Sequence, residues 1–314
     1  MSILICGSIA YDNIMVFQGR FKDHILPDQI HILNVAFRVP ELRREYGGCA
    51  GNIAYNLRLL GEQPLIMATV GRDFGAYREW LERQGLDLRH VTELPDTLTA
   101  QAYITTDLDD NQITAFHPGA MDHAHVNRVP GDGSIRLGIV SPDGREAMLQ
   151  HAEQYAASGI PFVFDPGQGL PMFDGDELRH FIRLANWVAV NDYEGQLLAE
   201  RTGWDFAEIA TEVAALVVTR GAQGSLIYTG GERLEIPPVA AREVADPTGC
   251  GDAYRAGLLF GISRGLPWER TGRLASLIGA RKVESRGTQN HRFTAAGLAG
   301  EYREVFGHAL DLGA

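Results

Sequence analysis

Short apolar, β-branched runs recur along this chain, and most are followed by a longer stretch with apolar positions three and four residues apart. Residues 2–6 are apolar at successive positions from Ile3 to Cys6, the pattern of a strand buried on both faces. Residues 51–60 place Ile53, Ala54, Leu57 and Leu60 on one side of a helix. Further strands are expected at 64–70, 136–140, 161–164, 187–190 and 216–219, with helices at 144–157, 175–184 and 193–201. Such alternation predicts an α/β fold built of βαβ units. Its central sheet should be mostly parallel, flanked by helices on both faces and joined by right-handed crossovers. The regions 13–46 and 99–117 break the rhythm. They carry β-type patterns without helices, including 30–39 and 102–106, and are expected to form a small β lid over one edge of the sheet. No repeat or Pro/Gly/Ser linker divides residues 1–314, so a single domain with a lid is the simplest reading.

Charge narrows the partners. Forty acidic residues outnumber 28 Lys and Arg, for a net charge of -12, which argues against a nucleic acid or an anionic membrane as partner. A local nest of backbone N–H groups still binds phosphate on an acidic protein, so nucleotide binding stays open. The first residues lack a basic leader and an adequate apolar core, and no run of about eighteen apolar residues follows, so neither a signal peptide nor a membrane span is expected. Cys6, Cys49 and Cys250 form no CxxC pair and fit a reducing, cytoplasmic setting. His123 and His125 lack the spacing of a metal site and read as structural or exposed.

The chemistry concentrates in two glycine-rich segments. Asp246-Pro-Thr-Gly-Cys-Gly-Asp252 runs into the apolar stretch 253–262. Gly249 and Gly251 flank Cys250 and let backbone N–H groups converge on an anion at a helix N-terminus. An aspartate beside such an anion hole can take a proton from a hydroxyl, which points to phosphoryl transfer to an alcohol. A plain N-cap on a glycine turn is the other reading. In Tyr46-Gly-Gly-Cys-Ala-Gly-Asn52, Gly47 and Gly48 permit close backbone approach, and Asn52 offers both a donor and an acceptor, as sugar hydroxyls require. Walker A and GxGxxG loops are absent.

Together, Gly47-Gly48…Asn52 and Asp246…Asp252 resemble the ribokinase-like (PfkB-type) carbohydrate and nucleoside kinases over essentially the whole chain. The resemblance implies that Asp252 is the catalytic base and that Gly249, Cys250 and Gly251 form the anion hole. Cys250 replaces the alanine of most members, a change that leaves backbone donation intact and adds a thiol. Asn191-Asp-Tyr-Glu194 matches an NxxE motif that organises Mg²⁺ through its waters, with Glu194 as the carboxylate; alone it would read as a helix cap. Thr219, Arg220, Gly221 and Gly224 resemble the segment that contacts ATP, or else form a glycine turn in a hairpin. Asp246 is implied as a ligand of a monovalent cation such as K⁺, whose use the sequence leaves open.

For the acceptor, Ser8 and Asp12 follow the first strand, and the resemblance gives Asp12 a carboxylate that binds two sugar hydroxyls. Residues 112–121 look like the lid of bacterial adenosine kinases, where Phe116 would stack on adenine; packing on lid neighbours is its alternative. Asp165-Pro-Gly-Gln168 and Gly287-Thr-Gln289 resemble the same subgroup, with Gln168 a candidate for the base or ribose. Gly169 stands where a second glutamine is common. The expectation is an ATP- and Mg²⁺-dependent kinase making AMP from adenosine, as a monomer or homodimer. A sugar kinase acting on ribose, fructose or a sugar phosphate is the alternative, and a non-catalytic nucleoside-binding regulator comes third.

Overall fold

The computed structural model describes residues 1–25, 34–109 and 111–310. Strand β1 (Ser2–Cys6) sits near the middle of the main sheet. Its alternate side chains enter different cores: Ile3 and Ile5 join one hydrophobic cluster, Leu4 and Cys6 the other. This two-sided burial explains why the run is apolar at every position rather than at every second one.

The chain then forms β2 (Ala10–Val16), β3 (Glu41–Gly47), α1 (Cys49–Leu59), β4 (Leu65–Gly71), α2 (Gly75–Arg83), β5 (Asp87–Leu94), β6 (Ala100–Thr106) and β7 (Gln112–His117). The second half continues with β8 (Ile135–Val140), α3 (Arg145–Ala157), β9 (Phe162–Phe164), α4 (Gly175–Leu184), β10 (Trp187–Asn191), α5 (Asp192–Thr202), α6 (Phe206–Glu212), β11 (Ala215–Thr219), β12 (Ser225–Thr229) and β13 (Glu232–Ile236). Helices α7 (Cys250–Ser263), α8 (Trp268–Val283) and α9 (Ala295–Phe306) complete it.

Among the described residues the main sheet runs β13-β12-β11-β10-β9-β8-β1-β4-β5, parallel except where β12 and β13 turn back at one edge. Side chains of α1, α2, α7, α8 and α9 fill one face, and those of α3, α4, α5 and α6 fill the other. From β1 the strand order proceeds outward to β4 and β5, then returns to β8 on the opposite side. The switch point between β1 and β8 is where ligands bind in open α/β sheets, beyond the carboxyl ends of the strands.

The lid is a separate four-stranded sheet, β3-β2-β6-β7, built from the two regions that broke the helical rhythm. One expectation fails within it. Of the strand expected at 30–39, residues 30–33 lie outside the described residues, and 34–39 carry no strand. Pro40 lacks the N–H a ladder needs, and β3 begins only beyond it. Phe37 instead packs against Phe17 and Phe21, with ring centroids 4.9 Å from each. No helix among the described residues is long and apolar enough to cross a membrane.

Candidate active site

Ser8, Asp165, Asn191 and Thr219 stand at or just beyond the carboxyl ends of β1, β9, β10 and β11. The parallel sheet therefore delivers them to one edge. Asn191 and Thr219 are register partners on adjacent strands, which joins the NxxE motif to the Thr219–Gly224 segment. Both segments also realise their plainer local readings. Asn191 and Glu194 form a reciprocal capping box at the start of α5, with the Glu194 N–H donating to Asn191 Oδ1 at 2.7 Å and the Asn191 N–H to Glu194 Oε2 at 2.8 Å. Residues 220–224 close the β11–β12 hairpin, and Gly224 (φ +80°) has no room for a Cβ against the Ile236 carbonyl. The hairpin is braced on α7 by a 2.7 Å bond between Ser225 Oγ and Tyr254 OH.

The two glycine-rich segments meet across the switch point. The Cys49 N–H donates to Ser8 Oγ at 3.1 Å and the Ala50 N–H to the Ser8 carbonyl at 3.0 Å, which fixes the start of α1 on β1. Gly48 (φ +85°) lies so close to Ser8 and Ala10 that a Cβ would fall 2.6 Å from backbone atoms. A Cβ at Gly47 would lie 2.4 Å from Asp12 Oδ2, so glycine there is what lets the carboxylate lie across the loop. Asn52 Nδ2 donates to Asp252 Oδ2 at 2.8 Å. Gln289 Nε2 donates to Asn52 Oδ1 at 3.0 Å and also bonds the Tyr77 hydroxyl, which in turn donates to the Gly47 carbonyl at 2.8 Å. Trp80 Nε1 holds Gln289 Oε1 at 2.9 Å.

At α7, Gly249 is the N-cap with φ +79°, a conformation that favours glycine. The Cys250 N–H is already bonded to the Pro247 carbonyl at 3.1 Å, and the Ala253 N–H to the Gly249 carbonyl at 3.0 Å. The helical N–H groups left for an anion are those of Gly251 and Asp252. A Cβ at Gly251 would meet nothing within 4 Å, so packing among the described residues does not demand glycine there and the backbone N–H stands open to approach. The thiol that Cys250 adds is partly buried. Burial pushes its pKa up to about 11, so it remains a protonated, weakly nucleophilic thiol.

Burial, then the negative charge of Asp165, push the Asp252 pKa up to about 7, against the pull of the Asn52 amide and Arg255. A general base works best with a pKa near the working pH. Arg255 comes from the next turn of α7. Its Nη2 lies 3.0 Å from Asp165 Oδ1 and 4.0 Å from Glu194 Oε2, a buried cation among three carboxylates. Arg255 is not legible as a site residue in the sequence, because an arginine inside an apolar helix has no local motif. Glu194 is itself raised, by burial first and then by Asp165. Burial also lifts Asp12 to about 6, helped by the charges of Asp246 and Glu45.

The lid register places Phe116, Ala102, Asp12 and Glu45 in one row across β7, β6, β2 and β3. Paired residues on neighbouring strands project to the same face, so the Phe116 ring shares its face with the Asp12 carboxylate, separated only by small Ala102. Phe116 is 51% exposed rather than packed into the lid. Gln168 is exposed in the turn after β9, and Gly169 is buried against the ends of the Met148 and Met172 side chains, where a Cβ would make a tight contact at 3.1 Å. His123 and His125 stand side by side in a short helical turn; no cluster of three metal-ligating side chains occurs among the described residues.

Comparison with known proteins agrees with this geometry. The pfkB family of carbohydrate kinases matches residues 12–294. A nucleoside kinase of Methanocaldococcus jannaschii is 32% identical over 260 residues, 82% of this chain and 85% of that protein. The structure of Burkholderia thailandensis nucleoside kinase in complex with inosine is 52% identical, with a TM-score of 0.90 over 98% of this chain and 99% of that one. The same enzyme in complex with ADP-inosine is 54% identical, with a TM-score of 0.87 over 98% and 97% of the two chains. With a raised aspartate beside open helix N–H groups at the switch point of this sheet, the chain belongs to the pfkB family of carbohydrate kinases and is an ATP-dependent phosphotransferase of the nucleoside and sugar kinase type.

Proposed function

We propose that this kinase transfers the γ-phosphate of ATP to the 5′-hydroxyl of a purine ribonucleoside, with Asp252 as general base. The observation that carries the acceptor class is the lid row: an exposed aromatic ring and a carboxylate on one face, two strands apart. Strand spacing makes that separation about 10 Å, the scale of a nucleoside with ribose at one end and base at the other. Asp12 takes the ribose diol, Gly47 and Gly48 allow close approach, and Asn52 adds a donor and an acceptor. Phe116 covers the base, and Gln168 is free to reach base or ribose. The sequence pointed to adenosine. Stacking reads only the π face, so Phe116 serves inosine as well as adenosine, and the inosine-bound relative supports the wider class.

Asp252 accepts the hydroxyl proton while Gly251 and Asp252 N–H groups and the positive end of α7 balance charge on the transferring phosphoryl group. Mg²⁺, when bound with ATP, neutralises phosphate charge. Its ligands here would be mainly phosphate oxygens and waters, with Glu194 offering the carboxylate oxygen that the cap does not use. Closure of the lid excludes water and limits hydrolysis of ATP. The whole of residues 1–314 works as one catalytic unit.

The test is ADP release with Mg²⁺ and ATP across adenosine, inosine, ribose and fructose, with Asp252→Asn alongside. Turnover should favour the purine nucleosides, and the variant should lose about 10²–10⁴ in rate. Turnover confined to free sugars would overturn the acceptor; a loss below about tenfold would remove Asp252 as the base.

A further inference from the structure

The resemblance implied Asp246 as a ligand of a monovalent cation, with its use left open, and each of its oxygens already accepts a hydrogen bond. Asp246 Oδ1 accepts from the Thr248 N–H at 2.9 Å and Oδ2 from the Gly287 N–H at 3.0 Å. The Asp246 carbonyl accepts from Lys282 Nζ at 2.8 Å, and the Ser285 carbonyl accepts from the same ammonium at 3.2 Å. Lys282 lies in the last turn of α8 and is fully buried, at 0% exposure. Its surroundings are acidic: Asp246, Asp252 and Glu45 all hold its charge, opposing the burial that draws its pKa down. An ammonium inside a set of carbonyl oxygens does what a bare K⁺ does when carbonyls replace its hydration shell. A K⁺ ion does not fit beside it, because the ammonium already occupies the position between the two carbonyls and would repel a second cation.

We infer that Lys282 is a built-in monovalent cation, which locks the 245–248 loop to the end of α8 and so sets the anion hole without K⁺. The loop's other ties support this. The Ala245 and Asp246 N–H groups donate to the Val283 carbonyl at 2.9 and 3.1 Å, and Pro247 accepts from Cys250 at the start of α7. Apart from the Thr248 to Asp246 bond within the loop, its hydrogen bonds among the described residues run either to residues 282–287 or to the helix that carries Gly251 and Asp252. Lys282 acts through the loop and does not meet the reacting atoms; it is a positioning residue.

Two arms test the inference on the full-length enzyme. In the first, wild-type ADP release is measured in KCl, in NH₄Cl and in choline chloride at equal ionic strength, and the rates should coincide. Marked activation by K⁺ over choline would overturn the inference whatever the variants do. In the second, Lys282→Ala opens the position. Its kcat should fall by about 10²-fold in choline, the order expected when a loop next to the chemistry is misplaced. K⁺ or NH₄⁺ should restore much of that loss. The thermal midpoint of the unliganded variant should also rise with K⁺ but not choline, a response that wild type lacks. A folded variant whose loss no monovalent cation repairs would reduce Lys282 to a packing role and sink the proposal. Lys282→Met, which fills the position without charge, should lose activity and stay unresponsive to K⁺; rescue of Met to the level of Ala would count against a cation site.

Discussion

The hydrogen bond from Asn52 to Asp252 should set the acidic limb of the rate profile. Replacing Asn52 by Leu keeps the side-chain volume and removes the donor 2.8 Å from Asp252 Oδ2. A hydrogen bond to a charged group contributes about 1.5–3 kcal/mol, and one pH unit corresponds to about 1.36 kcal/mol, so the loss amounts to about one to two units. Asp252 keeps some contact with solvent, which screens the effect toward the lower end. The direction is fixed: the donor favours the ionised carboxylate, so its removal raises the pKa from about 7 to about 8. The assay is kcat/KM for the nucleoside between about pH 5 and 10 in wild type and Asn52→Leu, because this ratio reports ionisations of the free enzyme. Asn52 also faces the ribose in our reading, so the plateau should drop as well. The midpoint of the limb is independent of that height. A midpoint that stays put or moves down would refute the reasoning, either because Asp252 does not govern the limb or because the bond does not tune it.

Other outcomes follow from the same geometry. Asp252 titrates near 7 when folded against 3.8 as a free carboxylate, so the folded state binds the proton more tightly and stability falls as pH rises through that window. Asp252→Asn escapes the penalty. Its thermal midpoint should exceed that of wild type above pH 7, and the gap should close below about pH 4; equal midpoints at high pH would contradict the raised pKa. Phe116→Ala should raise KM for adenosine and inosine by about tenfold, the lower end of what base stacking contributes, while leaving weak turnover of free ribose unchanged. An equal effect on ribose would move Phe116 away from the base. Arg255→Met should cost about 3–5 kcal/mol in denaturant unfolding because it strands Asp165 and Glu194 as buried charges. Adding Asp165→Asn should recover part of that loss, and a purely additive double variant would show that the pair is not coupled.

Much of the site was readable because its demands on the backbone are local. Gly48, Gly224 and Gly249 occupy positive φ, and Gly47 makes room for Asp12, so each announces itself as glycine in the sequence. The NxxE pattern was legible for a related reason: a capping box closes within four residues. Residues 34–39 of the expected 30–39 strand carry none because a β-rich run does not reveal which part of it finds a partner. Pro40 and the Phe17–Phe21–Phe37 cluster decided that. Arg255 and Lys282 were invisible as site residues, and Gln289 stood in a recognised segment without a role. Each sits in or beside an ordinary helical or loop stretch, and its meaning lies in what it touches.

By itself the sequence determined the alternating fold, the separate lid and the two glycine loops with Asn52 and Asp252 in them. Periodicity, turns and helix starts are set by neighbours along the chain, so they survive being read in one dimension. Only the tertiary structure decided that Asn52 and Asp252, 200 residues apart, share a hydrogen bond, that strand register puts Phe116 on the face of Asp12, and that the buried Lys282 ammonium meets the Asp246 and Ser285 carbonyls. Charge and desolvation act through space, and the groups that raise Asp252 to about 7 come from separate elements that only the packed sheet and helices bring together.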